Sequence, residues 1–259
     1  AGALQGEGGL TMRRTVLASI AIMLACVLAG LAYGDFALPV VDLLRALFRS
    51  PDAPPQALMI VWSIRLPRVL LAVLVGMALA VAGAIAQAVL CNPLADPGII
   101  GINSGAALAA MVVLVGLDDV SPAILPVAGF AGASAMVAAI FLLSWNNGTS
   151  SLRLLLIGIG LGALASAATT FLTAVGDIGD VQRAMVWMAG SLFDSNWTKV
   201  AVLAAWSVPV MVAAWLVSHH LDATLLGDGM AANLGQRVQL TRTLLILGCT
   251  LLSGAAVER

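Results

Sequence analysis

Long uncharged stretches separated by short polar connections run along this 259-residue chain from about residue 15 onward. The pattern predicts membrane-crossing helices at 15–33, 69–90, 102–117, 122–144, 154–174, 200–217 and 243–257. Each approaches or reaches the ~20 residues that cross ~30 Å of hydrocarbon. The expected fold class is therefore all-α, a polytopic transmembrane helical bundle. A polar tail at 1–14 precedes a transmembrane region at 15–259, whose longest loop on the inferred cytoplasmic side is 218–242. Arg13 and Arg14 ahead of an apolar run resemble the start of a signal peptide. With six further spans behind it, a retained first helix is the expectation. The last stretch is only about fifteen apolar positions long before Glu258 and Arg259, which suggests a shortened product.

Composition agrees with the pattern. Hydrophobic residues make up 61% of the chain and charged ones 10%, against about a half and a quarter in soluble domains. A net charge of −1 offers no basis for binding nucleic acid. Cys26, Cys91 and Cys249 lie in or beside different apolar segments without metal-type spacing, and read as small packed residues. His219 and His220 have no ligand partner at useful spacing and read as interfacial. Neither a metal site nor a catalytic constellation is expected, nor a bound cofactor. Lys199 is the sole lysine, so the Gly-Lys pair of a phosphate-binding loop is missing. Any ATP that drives this protein is hydrolysed by another chain.

With the N-terminus inside, Arg13, Arg14, Arg153, Arg237 and Arg242 are cytoplasmic, whereas Arg45, Arg49, Arg65, Arg68, Arg183 and Lys199 are external. Five against six is no bias, although the first helix favours that orientation. The predicted spans hold no charged residue. Ion-coupled carriers usually keep a titratable or polar site near the midplane, so the pattern favours a pathway opened by outside mechanical work. Gly158, Gly160 and Gly162, followed by Ala163, Ala165 and Ser166, make a small-residue face for close helix packing. Gln87, Asn103, Ser104 and Thr169 either line a passage or hydrogen-bond across helices.

Three loops carry most of the meaning. Arg65-Leu-Pro-Arg68 sets two arginines at one mouth of the second span, a costly placement that points to docking a partner. At its other mouth, Asn92-Pro93-Leu-Ala-Asp96-Pro97-Gly98 leads into Gly101-Ile-Asn103-Ser104-Gly105. Its prolines remove donors and its glycines allow unusual dihedrals, which implies a turn of fixed shape or a re-entrant segment at a cavity. The 218–242 loop reads as two short helices, with Leu225, Leu226, Met230 and Leu234 as apolar faces broken by Gly227, Gly229 and Gly235. Such helices suit a groove on a partner or a membrane surface. The aromatics of 175–199, among them Trp187, Phe193 and Trp197, fit an interfacial belt.

Taken in order, these motifs resemble the FecCD family, together with Gly76-Met-Ala-Leu-Ala, Gly83-Ala-Ile-Ala-Gln87, Leu154-Leu-Leu-Ile-Gly158, Trp187-Met-Ala-Gly190, Leu226-Gly227-Asp228 and Ala231-Ala-Asn-Leu234-Gly235. The resemblance covers roughly 15–257. The family comprises permease subunits of ABC importers for iron-siderophores, haem and cobalamin, the cobalamin permease among them. It implies a permease of about ten spans, working as a homodimer or a pair of related permeases. Two cytoplasmic ATPases and a periplasmic or lipid-anchored binding protein complete the importer, in the bacterial inner membrane. By the same resemblance, Arg65 and Arg68 dock the binding protein. Leu225, Leu226, Gly227, Asp228, Ala231, Leu234 and Gly235 couple to the ATPase. Relative to the family, the glycine-proline-rich stretch after the seventh span and about three spans are not in this sequence. An ion-coupled secondary transporter and an inactive remnant of the permease are the alternatives.

Overall fold

Hydrocarbon offers no partner for a peptide group, so apolar runs of this kind bond internally as helices. The computed structural model describes residues 2–34, 36–117, 121, 124–225 and 227–257, with their side chains described from Met12 to Ala256. Among them every regular element is helical. In chain order these are α1 (Gly2–Ala32), α2 (Val40–Leu47), α3 (Pro55–Met59), a π-helical turn (Ile60–Arg65), α4 (Leu66–Leu90), a 3₁₀ turn (Pro97–Ile100), α5 (Ile102–Gly116) and α6 (Ile124–Ser144). Then follow α7 (Ser151–Val175), α8 (Ile178–Ala189), α9 (Trp197–Leu216), α10 (Ser218–Leu225), α11 (Asp228–Asn233) and α12 (Val238–Val257). Among the described residues, six helical stretches are long and apolar enough to cross a membrane.

Helix α1 begins at Gly2 rather than 15, so the expected tail is helical backbone. Four further differences from the sequence expectation each have a physical reason. The stretch expected at 102–117 gives α5, which at 15 residues reaches ~22 Å and falls short of a full crossing. The second span does not begin after Arg68. Helical backbone is continuous from Pro55 to Leu90, 36 residues, because the chain absorbs one extra residue in the π turn instead of breaking. The aromatic 175–199 segment contains α8, whose Asp177 side chain accepts from the Gly179 amide at 3.0 Å and so satisfies an orphan donor. Lastly, α12 starts at Val238 rather than 243, which places Arg242 inside a helix. The expectation that the spans hold no charge is corrected: as folded, the long apolar helices take in Arg13, Arg14, Arg65, Arg68, Arg153 and Lys199 as well as Arg242.

The chain forms two units. The first comprises Ala1–Ala72 with Ser195–Val200. Its core is Leu31, Leu43, Ala46, Ala57 and Val61, which brings α1, α2, α3 and the π turn together. The second comprises Val73–Asp194 with Ala201–Arg259. Here α5 packs along α6, and α4, α7 and α12 close around them through Ala82, Ile85, Ile102, Ala133, Ile140, Leu154 and Leu252. Without a hydrophobic drive between lipid-bathed helices, close backbone approach supplies the packing. It is closest where α5 crosses α6. A Cβ on Gly105 would lie 2.5 Å from the Gly132 carbonyl oxygen, and one on Gly132 would strike the Gly105 carbonyl and Ala109.

Candidate functional site

In the first unit Arg65 is the centre of a polar cluster. The π turn aims its side chain at the end of α1, and the residue is only 6% exposed. Its guanidinium donates to the carbonyls of Leu31 at 2.6 Å, Ala32 at 3.0 Å and Phe36. A helix end leaves carbonyls without partners, and a cation there is also favoured by the helix dipole. Arg65 therefore seals the α1 terminus from 34 residues away. The neighbouring Arg68 is half-buried. Nearby, Trp62 donates through Nε1 to the Ala46 carbonyl at 2.9 Å, and the Arg49 guanidinium lies 3.9 Å from its ring centroid. Trp197 stacks on Trp62 at 6.1 Å and donates to the Trp62 carbonyl.

The 92–105 stretch folds as a sequence of local caps. Asn92 Oδ1 accepts from the Leu94 amide at 3.0 Å, and Asp96 Oδ1 accepts from the Gly98 amide at 2.6 Å, opening the 3₁₀ turn with Pro97 in its first position. Pro93 is exposed. Gly101 turns left-handed at φ +80°, and a Cβ there would meet Ile140 and Met136 of α6. The 3₁₀ turn lies against α7, where the Ile99 carbonyl sits on Gly158 so closely that no Cβ fits. Gly158 is seven residues into α7, so the turn reaches ~10 Å along that helix. Asn103 is exposed beside Gly98, Ser104 faces Gly162, and Gln87 is half-buried on α4. Asp96, Gly98 and Asn103 are thus brought together, and the Gln87 carbonyl accepts from the Asn92 amide at 3.1 Å. Thr169 bonds its own helix, donating to the Ala165 carbonyl at 2.9 Å.

At one end of the second unit the loop after α9 folds as α10 and α11. Gly227 lies between them at φ +90°, and Gly235 follows at φ +80°. Ala231 is buried, whereas Leu225, Met230 and Leu234 are 52%, 55% and 65% exposed. Leu226 lies outside the described residues. Behind this exposed apolar face is a dense polar cluster that sequence reasoning missed. Arg242 is fully buried, and donates to the Thr149 carbonyl at 2.5 Å, Thr149 Oγ1 at 3.3 Å, Ser151 Oγ at 3.2 Å and the Asp228 carboxylate. The Gln239 amide exchanges bonds with Thr149, accepting from its N–H and Oγ1 and donating to its carbonyl. Arg153 donates to the carbonyls of Ser144 at 2.8 Å and Gly148 at 3.3 Å. The only signal in the sequence was an arginine set directly ahead of an apolar run, and that also describes a solvated flank.

At the opposite end of this unit, Trp187 of α8 fills the space over Gly129 of α6, where a Cβ would lie 2.8 Å from its ring. Among the described residues there is no grouping of histidine, cysteine and carboxylates able to hold a metal.

The profile of the FecCD transport family matches residues 22–258. This chain belongs to the FecCD transport family. FecCD relatives in the curated set share its sequence over most of its length. The achromobactin transport system permease CbrC of Dickeya dadantii is 40% identical over 96% of this chain and 71% of its own. The ferric enterobactin permease FepG of Escherichia coli is 36% identical over 94% of this chain and 74% of its own. The hemin permease HmuU of Yersinia pestis is 42% identical over 76% of this chain and 60% of its own. A solved inward-facing structure of a metal-chelate type ABC transporter superposes with a TM-score of 0.80. It is 26% identical, covering 95% of this chain and 75% of its own. The fold class and the family expected from the motifs agree with these findings. Like its relatives, this FecCD protein is a multi-span membrane permease.

Proposed function

We propose that this FecCD protein is the membrane-spanning subunit of an ABC importer that carries an iron-siderophore or a related metal chelate such as haem or cobalamin. A separate subunit hydrolyses ATP, and no bond is made or broken in this chain. The observation that carries the mechanical part is the α10–α11 face. Leu225, Met230 and Leu234 are held outward on two short helices whose other side is anchored by Ala231 and Asp228. Apolar side chains presented on a rigid mount suit a groove in an ATPase. Gly227 and Gly235, which shape that face, belong to the same contact, as does Leu226, next to Leu225 in sequence. A second permease, identical or paralogous, and a binding protein complete the assembly.

Changing Leu225 and Leu234 together to Asp is expected to leave the permease in the membrane and release the ATPase. Copurification of the two tests this, and undiminished capture of the ATPase would sink the assignment. Arg68 is our candidate for docking the binding protein, with Arg65 shaping the segment that presents it. The ion-coupled alternative needs a titratable group near mid-span. The fully buried charge among the described residues, Arg242, instead is the fifth residue of α12, at the loop end.

The location we infer is the bacterial inner membrane, with the N-terminus, α10 and α11 on the cytoplasmic side. In a cysteine-free background, a cysteine at Asn146 is expected to react only from the cytoplasm and one at Ile178 only from outside. Both positions are exposed. The reverse labelling pattern would invert the topology.

A further inference from the structure

Why a permease should bury an arginine at the root of its coupling helices is not answered by packing. An apolar residue of similar volume usually fills such a site at equal or better stability. The partners of Arg242 suggest an answer, because they come from two segments separate from its own helix. Asp228 is the first residue of α11, Thr149 and Ser151 lie where α6 turns into α7, and Arg242 itself is on α12. The planar fork of arginine ties both to α12 at once, which the single ammonium of lysine does not.

Other contacts make α11 dependent on this junction. With six residues α11 is too short to stand alone. Gly227 and Gly235 bound it at positive φ, Gly229 lies within it, and a Cβ on any of the three would meet nothing within 4 Å. Those glycines give the backbone hinges on both sides. Among the described side chains of α11, the buried Ala231 and the ionic Asp228 hold it to the rest of the unit. On the α7 side, Gly148 at φ +119° packs against the Gln239 amide, so the turn and α12 are interlocked as well.

We propose that Arg242 is a positioning residue for transport, a buried clamp that makes α11, the start of α7 and the start of α12 move as one body. A displacement applied to the exposed face of α10–α11 then reaches two spans together instead of being absorbed at the glycine hinges. The inference rests on the reading of α10–α11 as the ATPase contact. Asp228, whose side chain stays 42% exposed, belongs to it as the anionic half of the clamp.

The test uses the permease assembled with its ATPase and binding protein in proteoliposomes. Asp228→Asn keeps size and an acceptor oxygen while removing the charge, Arg242→Lys keeps the charge while removing the fork, and Arg242→Gln removes both. Spin labels at Asn233 on α11 and Leu152 on α7 report their separation with and without ATP. The expected wild-type result is a narrow separation that nucleotide does not change. In Asp228→Asn and Arg242→Gln the distribution is expected to broaden and transport to fall about tenfold, with ATP hydrolysis kept within about twofold. Arg242→Lys is expected to fall between them and wild type. Transport and spin separation unchanged in Asp228→Asn and Arg242→Gln would overturn the clamp. Loss of ATPase capture in the variants alone would also overturn it, by making Arg242 part of the docking surface. Failure of wild type itself to capture the ATPase would instead remove the underlying reading of α10–α11. Should Arg242→Gln not accumulate, Asp228→Asn decides the matter by the same readouts.

Discussion

Replacing Gly132 with leucine is expected to prevent the chain from accumulating as a folded protein. At this position α6 crosses α5, and even a Cβ would run into the Gly105 carbonyl and the Ala109 methyl. Neither obstacle is the far end of a flexible side chain, so relief requires the helices to separate. Separation would open the core around Ile102, Ala106, Ala133 and Ile140. Overpacking of a tight site typically costs ~1–3 kcal/mol and occasionally more. A clash with backbone belongs at the upper end or beyond it. The control is Gly76→Ala in α4, where a Cβ would meet nothing within 4 Å. Alanine there removes a mid-helix glycine and is expected to help by ~0.5–1 kcal/mol. Thermal unfolding in detergent, followed by monodispersity on size exclusion, separates the two. A Gly132→Leu protein as stable as wild type would mean that the α5–α6 crossing is not where the structure puts it.

Changing Arg65 to Met is the second expected large effect. It strands the Leu31, Ala32 and Phe36 carbonyls at the end of α1. Hydrogen bonds to a charged group are each worth ~1.5–3 kcal/mol, and a buried group left unsatisfied costs ~1–3 kcal/mol. Phe36 is exposed and water replaces its partner, so the Leu31 and Ala32 carbonyls dominate. A loss of about 3 kcal/mol is expected, read as a lower unfolding temperature and faster proteolysis of the 33–54 connection. Arg68→Met is expected to leave those readouts near wild type while weakening capture of the binding protein. This contrast separates a structural arginine from the proposed docking one three residues away. If Arg65→Met unfolds like wild type and loses only docking, the assignments of the two arginines must be exchanged.

These two residues also show where reading the sequence stopped. Helix existence was legible because it is a local matter. An apolar run in hydrocarbon has no other way to satisfy its peptide groups, and the glycines at 227 and 235 marked the ends of α11 without outside help. The ordered motifs from Arg65 to Gly235 carried the family for the same reason, being a property of the chain alone. The turn at 92–101 was legible too, since Asn92 and Asp96 cap amides two residues ahead of themselves.

Partnership between distant segments was not legible. Arg65 and Arg68 share one motif and one helix, yet the structure turns the first inward to carbonyls 34 residues earlier. Arg242 looked like a flanking charge until the Thr149 carbonyl, 93 residues away, was found against it. Gly158 and Gly160 belong to one small-residue run, but only Gly158 has a backbone pressed on it, that of Ile99. Local hydropathy and turn chemistry determined which segments are helices and which family they form. Tertiary structure alone decided which charges are buried and which glycines are indispensable, because each depends on where another segment's carbonyl oxygen comes to rest.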